Sequence, residues 1–256
     1  MTESIVLCEG YHDRTFWKGL FLSLKCTDPP IVSKTGVKLP VLDIRGIEVI
    51  GGQHYYSTPA DNRVRVVPCG GKSKVLRAFG GYLNGRSTAP VARLVVNVDA
   101  DTNADGTPNS TSPLTPIAIE NLVRAADANY QRTPAGTFLI DIASSPAEIA
   151  MICWGADDPP LPGLPNQQTL ERLVCAAICA VHPERSQNVE NWLGTRHLPP
   201  PVGVKEYAHS MMAGWYAERG CDDFYRCVWD ETLVREALIK RLETSGAWAI
   251  AQSLAV

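Results

Sequence analysis

Acidic residues stand where this chain can most readily build chemistry. Asp99 and Asp101 alternate in NVDADT at 97–102, directly after the apolar run ARLVVNV. If that segment is extended, the two carboxylates project to one side, about 7 Å apart. Carboxylates so close repel each other, and a divalent cation relieves the repulsion. Oxygen donors point to Mg²⁺, Mn²⁺ or Ca²⁺ rather than to Zn²⁺. Glu9 ends a second apolar run, SIVLC at 4–8, and Asp13 follows four residues later. A plainer reading stays open for each acid. Asp13 can simply favour a helix N-terminus, and the Asp-rich loop can be solvated surface.

The elements that must position these acids read as an α/β alternation. SIVLC is a short strand, broken at Glu9-Gly10, and Phe16, Trp17, Leu20, Phe21 and Leu24 then recur at helical spacing. RVRVVPC at 63–69 is a second β-like run, followed by GGKSK and the helical VLRAFGGYL. ARLVVNVDA at 92–100 is the clearest strand, apolar without alternation, as in a strand covered on both faces. IAIENLVRAADANY is helical, GTFLIDIA at 136–143 is a fourth strand, and AEIAMICWG fits either type. TLERLVCAAICAV begins a helix at Thr169 or Gln168, and the remainder is helical. Residues 1–182 are thus expected to form an α/β core and 183–256 a helical region. The stretch at about 25–63 is an insertion after the first helix, with two short β-like runs around Arg45-Gly46. In a β-α-β-α-β-α-β core, right-handed crossovers put the strand C-termini on one edge of a parallel sheet. Open α/β sheets bind ligands at that edge. Glu9 and Asp99, ninety residues apart, are expected to meet there.

Composition narrows the function classes. The chain carries 24 basic and 27 acidic residues, a net charge of −3, so nothing in the total charge announces a nucleic-acid binder. A carboxylate site adds negative charge that only a bound metal cancels, and a local basic strip can still hold phosphates. The eight cysteines lie largely in apolar runs, without a Cys-x-x-Cys pair, which argues against a disulfide scaffold and a zinc module. The N-terminus MTESIVLCEG lacks the pattern of a secretory signal, and no apolar run reaches transmembrane length. A cytoplasmic protein without a membrane partner is expected.

Together these residues resemble the topoisomerase-primase (TOPRIM) domain. Glu9-Gly10 after a first strand, with Asp13 beyond, looks like its opening motif, and Asp99-Ala100-Asp101 looks like its DxD motif. The variant resembled is that of the OLD-type (overcoming lysogenisation defect) nucleases and their small stand-alone relatives. Gly70-Gly71-Lys72-Ser73 resembles the turn after their second strand, Leu170-Glu171 the Leu-Glu after a glycine- or asparagine-containing loop, and Lys205 the lysine opening a later helical region. The resemblance covers 4–102 and 137–182, and more loosely 203–254. It implies a Rossmann-like parallel-sheet core and a metal-dependent nuclease acting on DNA or RNA with Mg²⁺ or Mn²⁺. Glu9, Asp99 and Asp101 would hold one ion. Asp13 and Glu171 would serve a second, and Lys205 would neutralise charge on the phosphoryl group. OLD-type enzymes carry an ATPase domain ahead of this region, so an ATPase is expected here as a separate partner. The alternative is a non-catalytic TOPRIM-like protein that binds nucleic acid or such an ATPase, and a homo-oligomer fits either reading.

Two other motifs carry little weight. DTNADG at 101–106 copies the opening of a calcium loop, but Ser112 stands where the closing glutamate belongs. GGKS at 70–73 copies the end of a P-loop, but Val66 replaces the required glycine. Lys72 can still meet a phosphate. The aromatics Trp192, Trp215, Tyr216, Phe224, Tyr225, Trp229 and Trp248 crowd the C-terminal half, where they either pack a core or stack on bases.

Overall fold

A computed structural model describes residues 3–27, 54–85, 90–100, 102–103, 105–107, 116–155, 158, 161–196, 203–216 and 220–256. The β-like runs expected around Arg45-Gly46 lie outside these residues, as does Asp101. The chain divides into two compact units, the first built from 1–98, 113–152 and 249–256, the second from 99–112 and 153–248.

Among the described residues, the strands form one seven-stranded sheet. They are β1 (Glu3–Cys8), β2 (His54–Ser57), β3 (Arg63–Pro68), β4 (Val91–Asp99), β5 (Gln131–Arg132), β6 (Phe138–Ile142) and β7 (Ser145–Trp154), in the spatial order β2-β3-β1-β4-β7-β6-β5. β1 pairs in parallel with both β3 and β4, with Cys8 opposite Pro68 on one side and Asn97 on the other. Every residue of β1 is buried. That is why its apolar run does not alternate with polar residues.

The sheet is mixed rather than parallel throughout. β2 runs antiparallel to β3, and β5, β6 and β7 form an antiparallel meander. The segment 136–143 is a strand, but it does not continue the parallel series. A two-residue turn at Ala143-Ser144, both with positive φ (49° and 65°), reverses it directly into β7. Positive φ at both central positions marks the type I′ turn whose twist suits a hairpin. The contacts Arg93–Glu148 and Asn97–Ile152 then rise in step along β4 and β7, as in a parallel pair. β7, rather than β6, takes the place beside β4.

Three helices belong with the sheet in the first unit: α1 (Tyr11–Ser23), α2 (Lys72–Leu83) and α3 (Pro116–Ala126). α2 and α3 press Val75, Phe79, Ile119 and Val123 into one apolar cluster with Ile5, Leu7, Leu94, Val96 and Val98. Phe16, Trp17, Leu20 and Phe21 of α1 are buried, with Tyr56 near Phe21 at 5.2 Å between ring centroids. Each such side chain contributes roughly 1.5–3 kcal/mol by leaving water.

The second unit is helical: α4 (Leu170–Val181), α5 (Pro183–Gly194), α6 (Val204–Trp215), α7 (Gly220–Cys227), α8 (Thr232–Thr244) and the start of α9 (Ala247–Leu254). α4 is its spine, packed by α5, α6 and α8, and Leu173, Val174, Cys175, Ala176, Ala177 and Ile178 are all buried. α4 therefore groups with the C-terminal helices, although its sequence adjoins the α/β alternation. Among the described residues, no helix is long and apolar enough to cross a membrane, and Cys8, Cys26, Cys69, Cys153, Cys175, Cys179 and Cys227 are free thiols.

Candidate functional site

In the first unit, the C-terminal end of β1 is held by the turn after β3. The amides of Gly70 and Gly71 both donate to the Glu9 carbonyl oxygen, at 2.7 and 2.8 Å. Gly71 has φ 111° and ψ 160°, a backbone state open essentially to glycine alone. This explains the Gly-Gly pair. Its amides are committed to the neighbouring strand end and do not cradle a phosphate. The same turn starts α2, so Lys72, only 8% exposed, brings its Nζ to 3.8 Å from Glu9 Oε1.

Asp13 lies on the next turn of chain. Its Oδ2 accepts the Gly10 amide at 3.0 Å, closing the start of α1. An acid at this position also meets the positive end of the helix. The plain reading of Asp13 is therefore realised. A carboxylate has about four lone-pair sites, so this bond does not by itself bar a metal role. Burial, and next the nearby Asp13 charge, pushes the Cys8 thiol well above its ordinary range, so Cys8 is an inert apolar filler.

Asn97 is fully buried on β4, two residues before Asp99. It accepts from Trp17 Nε1 at 2.7 Å and donates to the Ile152 carbonyl at 3.4 Å. A buried amide with partners on α1 and β7 fixes the strand that delivers Asp99. Its place inside an apolar run was the only sequence signal for that role.

In the second unit, Asp99 is tied to α4. Its Oδ1 accepts the Leu170 amide at 2.8 Å, satisfying one of the N–H groups that a helix start leaves open. Thr169 caps the same helix through the Arg172 amide. Further contacts join the two segments: the Gln168 amide donates to Thr102 Oγ1 at 2.7 Å, and Asn166 Nδ2 donates to the Asp105 carbonyl at 3.1 Å. Asp99 and the first turn of α4, which carries the buried Glu171, are thus brought together. Asp105 folds back on its own loop. Its Oδ1 accepts both the Thr107 amide and hydroxyl, and those bonds lower its pKa.

The loop leading into this cluster is fastened by two arginines. Arg241 forms a two-pronged pair with the Asp158 carboxylate and also reaches the Ala176 carbonyl. The fully buried Arg172 donates to the Asp158 and Pro165 carbonyls at 3.0 and 3.1 Å. Burial lowers the Arg172 pKa, but an arginine stays charged across the working range. Neither arginine was singled out by the sequence, because their partners are carbonyls and one remote aspartate. Beside them, a cleft of about 610 Å³ is lined by Ala100, Gly155, Gln168, Lys240 and Arg241. Lys205, by contrast, is exposed in the first turn of α6.

Glu9 pairs with Lys72, Asp13 accepts the Gly10 amide, and Asp99 accepts the Leu170 amide one residue before Glu171. Among the described residues, no three His, Cys, Asp or Glu side chains form a ready-made cation site, and Asp101 lies outside them. The donor chemistry suits a hard cation, since Glu9, Asp13, Asp99 and Glu171 offer oxygen alone.

No protein-family model and no curated protein matches the sequence. Among solved structures, the chain is similar to the crystal structure of hypothetical protein PH0156 from Pyrococcus horikoshii OT3. The TM-score is 0.68 at 13% identity, with 100% of this chain and 100% of that chain covered. At that identity the likeness concerns the fold alone.

Proposed function

We propose that this protein is a TOPRIM-like, divalent-metal-dependent phosphodiester hydrolase that acts on nucleic acid. The observation that carries the reading is the sheet topology. β1 and β4 are adjacent and parallel, Glu9 directly follows β1, and Asp99 ends β4. Acids at the C-terminal ends of neighbouring parallel strands are where an open α/β sheet presents ligands. Mg²⁺ or Mn²⁺ would be held by Glu9, Asp99 and Asp101, with Asp13 and Glu171 serving a second ion. When bound, such ions activate water and stabilise the leaving oxygen. Water would attack phosphorus, the P–O bond to the leaving nucleoside would break, and the departing oxygen would take up a proton.

The chain's own residues have separable tasks in this scheme. Lys72 balances the Glu9 charge while no cation is bound. Lys205 would offset charge that develops on the phosphoryl group. The α4 amide at Asp99 fixes that carboxylate's direction. The cleft beside Ala100 would take the nucleotide flanking the cut.

A second reading is favoured by a specific observation. Lys72, Gly10 and Leu170 already occupy Glu9, Asp13 and Asp99, the pattern of acids used to hold a fold together. On that reading the protein is a non-catalytic partner of a nucleic acid or of a separate ATPase. Cleavage of end-labelled DNA and RNA strands with Mn²⁺ separates the two. The hydrolase reading expects turnover that falls at least about 100-fold in Glu9→Gln and in Asp99→Asn. Lack of cleavage by the parent favours the partner, whereas retained cleavage in both variants would mean that Glu9 and Asp99 are not the catalytic acids.

A further inference from the structure

The helical unit carries an aromatic groove that none of the candidate acids lines. It is about 440 Å³ in volume and lies between α5 and α6, lined by Asn188, Val189, Trp192, Ser210, Ala213, Gly214 and Trp215. Most aromatics of this half are buried as core: Tyr216, Phe224, Tyr225 and Trp229 are each 5% exposed or less. Trp192 and Trp215 are not, at 52% and 37%. Ser210, Ala213 and Gly214 are small, which keeps the α6 wall low between the two indoles.

The rims of the groove are cationic. Arg196 lies over the Trp192 ring with Cζ 4.8 Å from its centroid, and Arg185 lies over Trp215 at 5.5 Å while donating from Nη1 to the Tyr216 hydroxyl at 3.3 Å. Along α5, Asn188, Val189 and Trp192 follow Arg185 at three, four and seven residues and so share one helical face, and Arg196 comes just after the helix end. Two nearby carboxylates are engaged elsewhere. The Glu190 carboxylate accepts Gln187 Nε2 at 3.0 Å. Glu206 turns back to the start of α6, with its Oε2 2.5 Å from where a Gly203 Cβ would be. Among the described residues, no carboxylate lines the groove.

We infer that this groove binds single-stranded nucleic acid, its bases stacking on Trp192 and Trp215 and its phosphates meeting Arg196. Charge complementarity selects this occupant. Flat indoles take any base, and arginine over an aromatic ring offers its N–H groups outward to phosphate. An apolar helix from a partner protein would use the groove floor but bring no counter-charge to the Arg196 guanidinium group. The inference rests on the proposed nucleic-acid function and names its substrate form. It does not require metal.

Fluorescence anisotropy with a labelled 20-nucleotide oligothymidine, on the full chain in EDTA, tests the groove apart from cleavage. The parent should bind, with affinity falling as salt rises. Trp192→Ala and Trp215→Ala should each weaken binding about tenfold, whereas Trp192→Phe should keep most of it. An abasic strand of equal length should bind the parent as weakly as Trp192→Ala binds the oligothymidine. Both tryptophans are exposed, so the variants should melt close to the parent, and the thermal curve checks it. The inference is overturned if the alanine variants bind like the parent, or if base-bearing and abasic strands bind alike. It is also overturned if the parent fails to bind, most plainly if it instead sediments as a dimer that Trp192→Ala splits. Failure of the hydrolase reading would show differently, as intact oligonucleotide binding without Mn²⁺-dependent cleavage.

Discussion

Single side chains decide how the acids are held. Asn97 is the most exacting of them, a fully buried amide whose partners are an indole N–H and a backbone carbonyl. Replacing Trp17 by Phe keeps most of the ring volume but leaves Asn97 Oδ1 without that donor. A buried acceptor so deprived costs about 1–3 kcal/mol. In a chain of this size each kcal/mol shifts the melting temperature by about 2–4 °C. Calorimetry on Trp17→Phe should therefore show a drop of several degrees, and an unchanged melting temperature would mean that the bond contributes nothing. The acids themselves were visible in the sequence, since Glu9 and Asp99 each end an apolar run. Their local partners were not. That Asp13 accepts the Gly10 amide and Asp99 the Leu170 amide depends on side-chain direction at atomic precision, which residue spacing does not encode.

Elements were legible where their hydrophobic period was long, and less so where a turn decided direction. β1, α1, β3, α2 and β4 fall close to the runs that suggest them, because burial on both faces or on one helical stripe writes itself into composition. The segment 136–154 was harder. Strand propensity identifies β6, but Ala143-Ser144 does not look like a hairpin turn, lacking the Asn-Gly or Asp-Gly that type I′ geometry prefers. An alanine and a serine with positive φ each carry strain of about 1 kcal/mol. The double variant Ala143→Asn with Ser144→Gly should thus stabilise the protein by about 1 kcal/mol, read as a higher urea midpoint at unchanged slope. A substitution in the turn after β3 carries the opposite sign. Gly71→Ala forces a side chain onto φ 111° and should cost about 1–3 kcal/mol, with Glu9 losing its two amide anchors in part. A neutral result at Gly71 would mean that backbone conformation does not explain the Gly-Gly-Lys turn.

On the scale of the whole molecule, the sequence conveyed an α/β part followed by helices, and the structure has both. It did not convey that α4 joins the helical unit, because that grouping depends on which helices cover its other faces. The interior also sets a response to alkali. Burial raises the Cys26 thiol from its ordinary value of 9.0 to about 11, and raises Cys69 to about 12 against the opposing charge of Lys74. Above pH 9 the unfolded chain loses these protons first, so it binds fewer protons than the folded one and stability falls with rising pH. Their contribution is complete below pH 9 and declines through the window up to about 11 for Cys26 and 12 for Cys69. Buried Tyr207 and Tyr216, also raised chiefly by burial, act in the same direction at higher pH. A urea midpoint that falls steadily above pH 9, less steeply in Cys26→Ala, is the expected result; a level profile to pH 11 would contradict it. The central claim is the carboxylate site at the ends of β1 and β4, and calorimetric titration with Mn²⁺ tests it most directly. The parent should bind Mn²⁺ and gain melting temperature from it by mass action. Glu9→Gln and Asp99→Asn should lose the metal response, and without metal should melt no higher than the parent, since Glu9 pairs with Lys72 and Asp99 accepts the Leu170 amide. Asp105→Asn should retain the metal response. No binding by the parent at millimolar Mn²⁺, or binding by Asp99→Asn as tight as the parent's, would contradict the account.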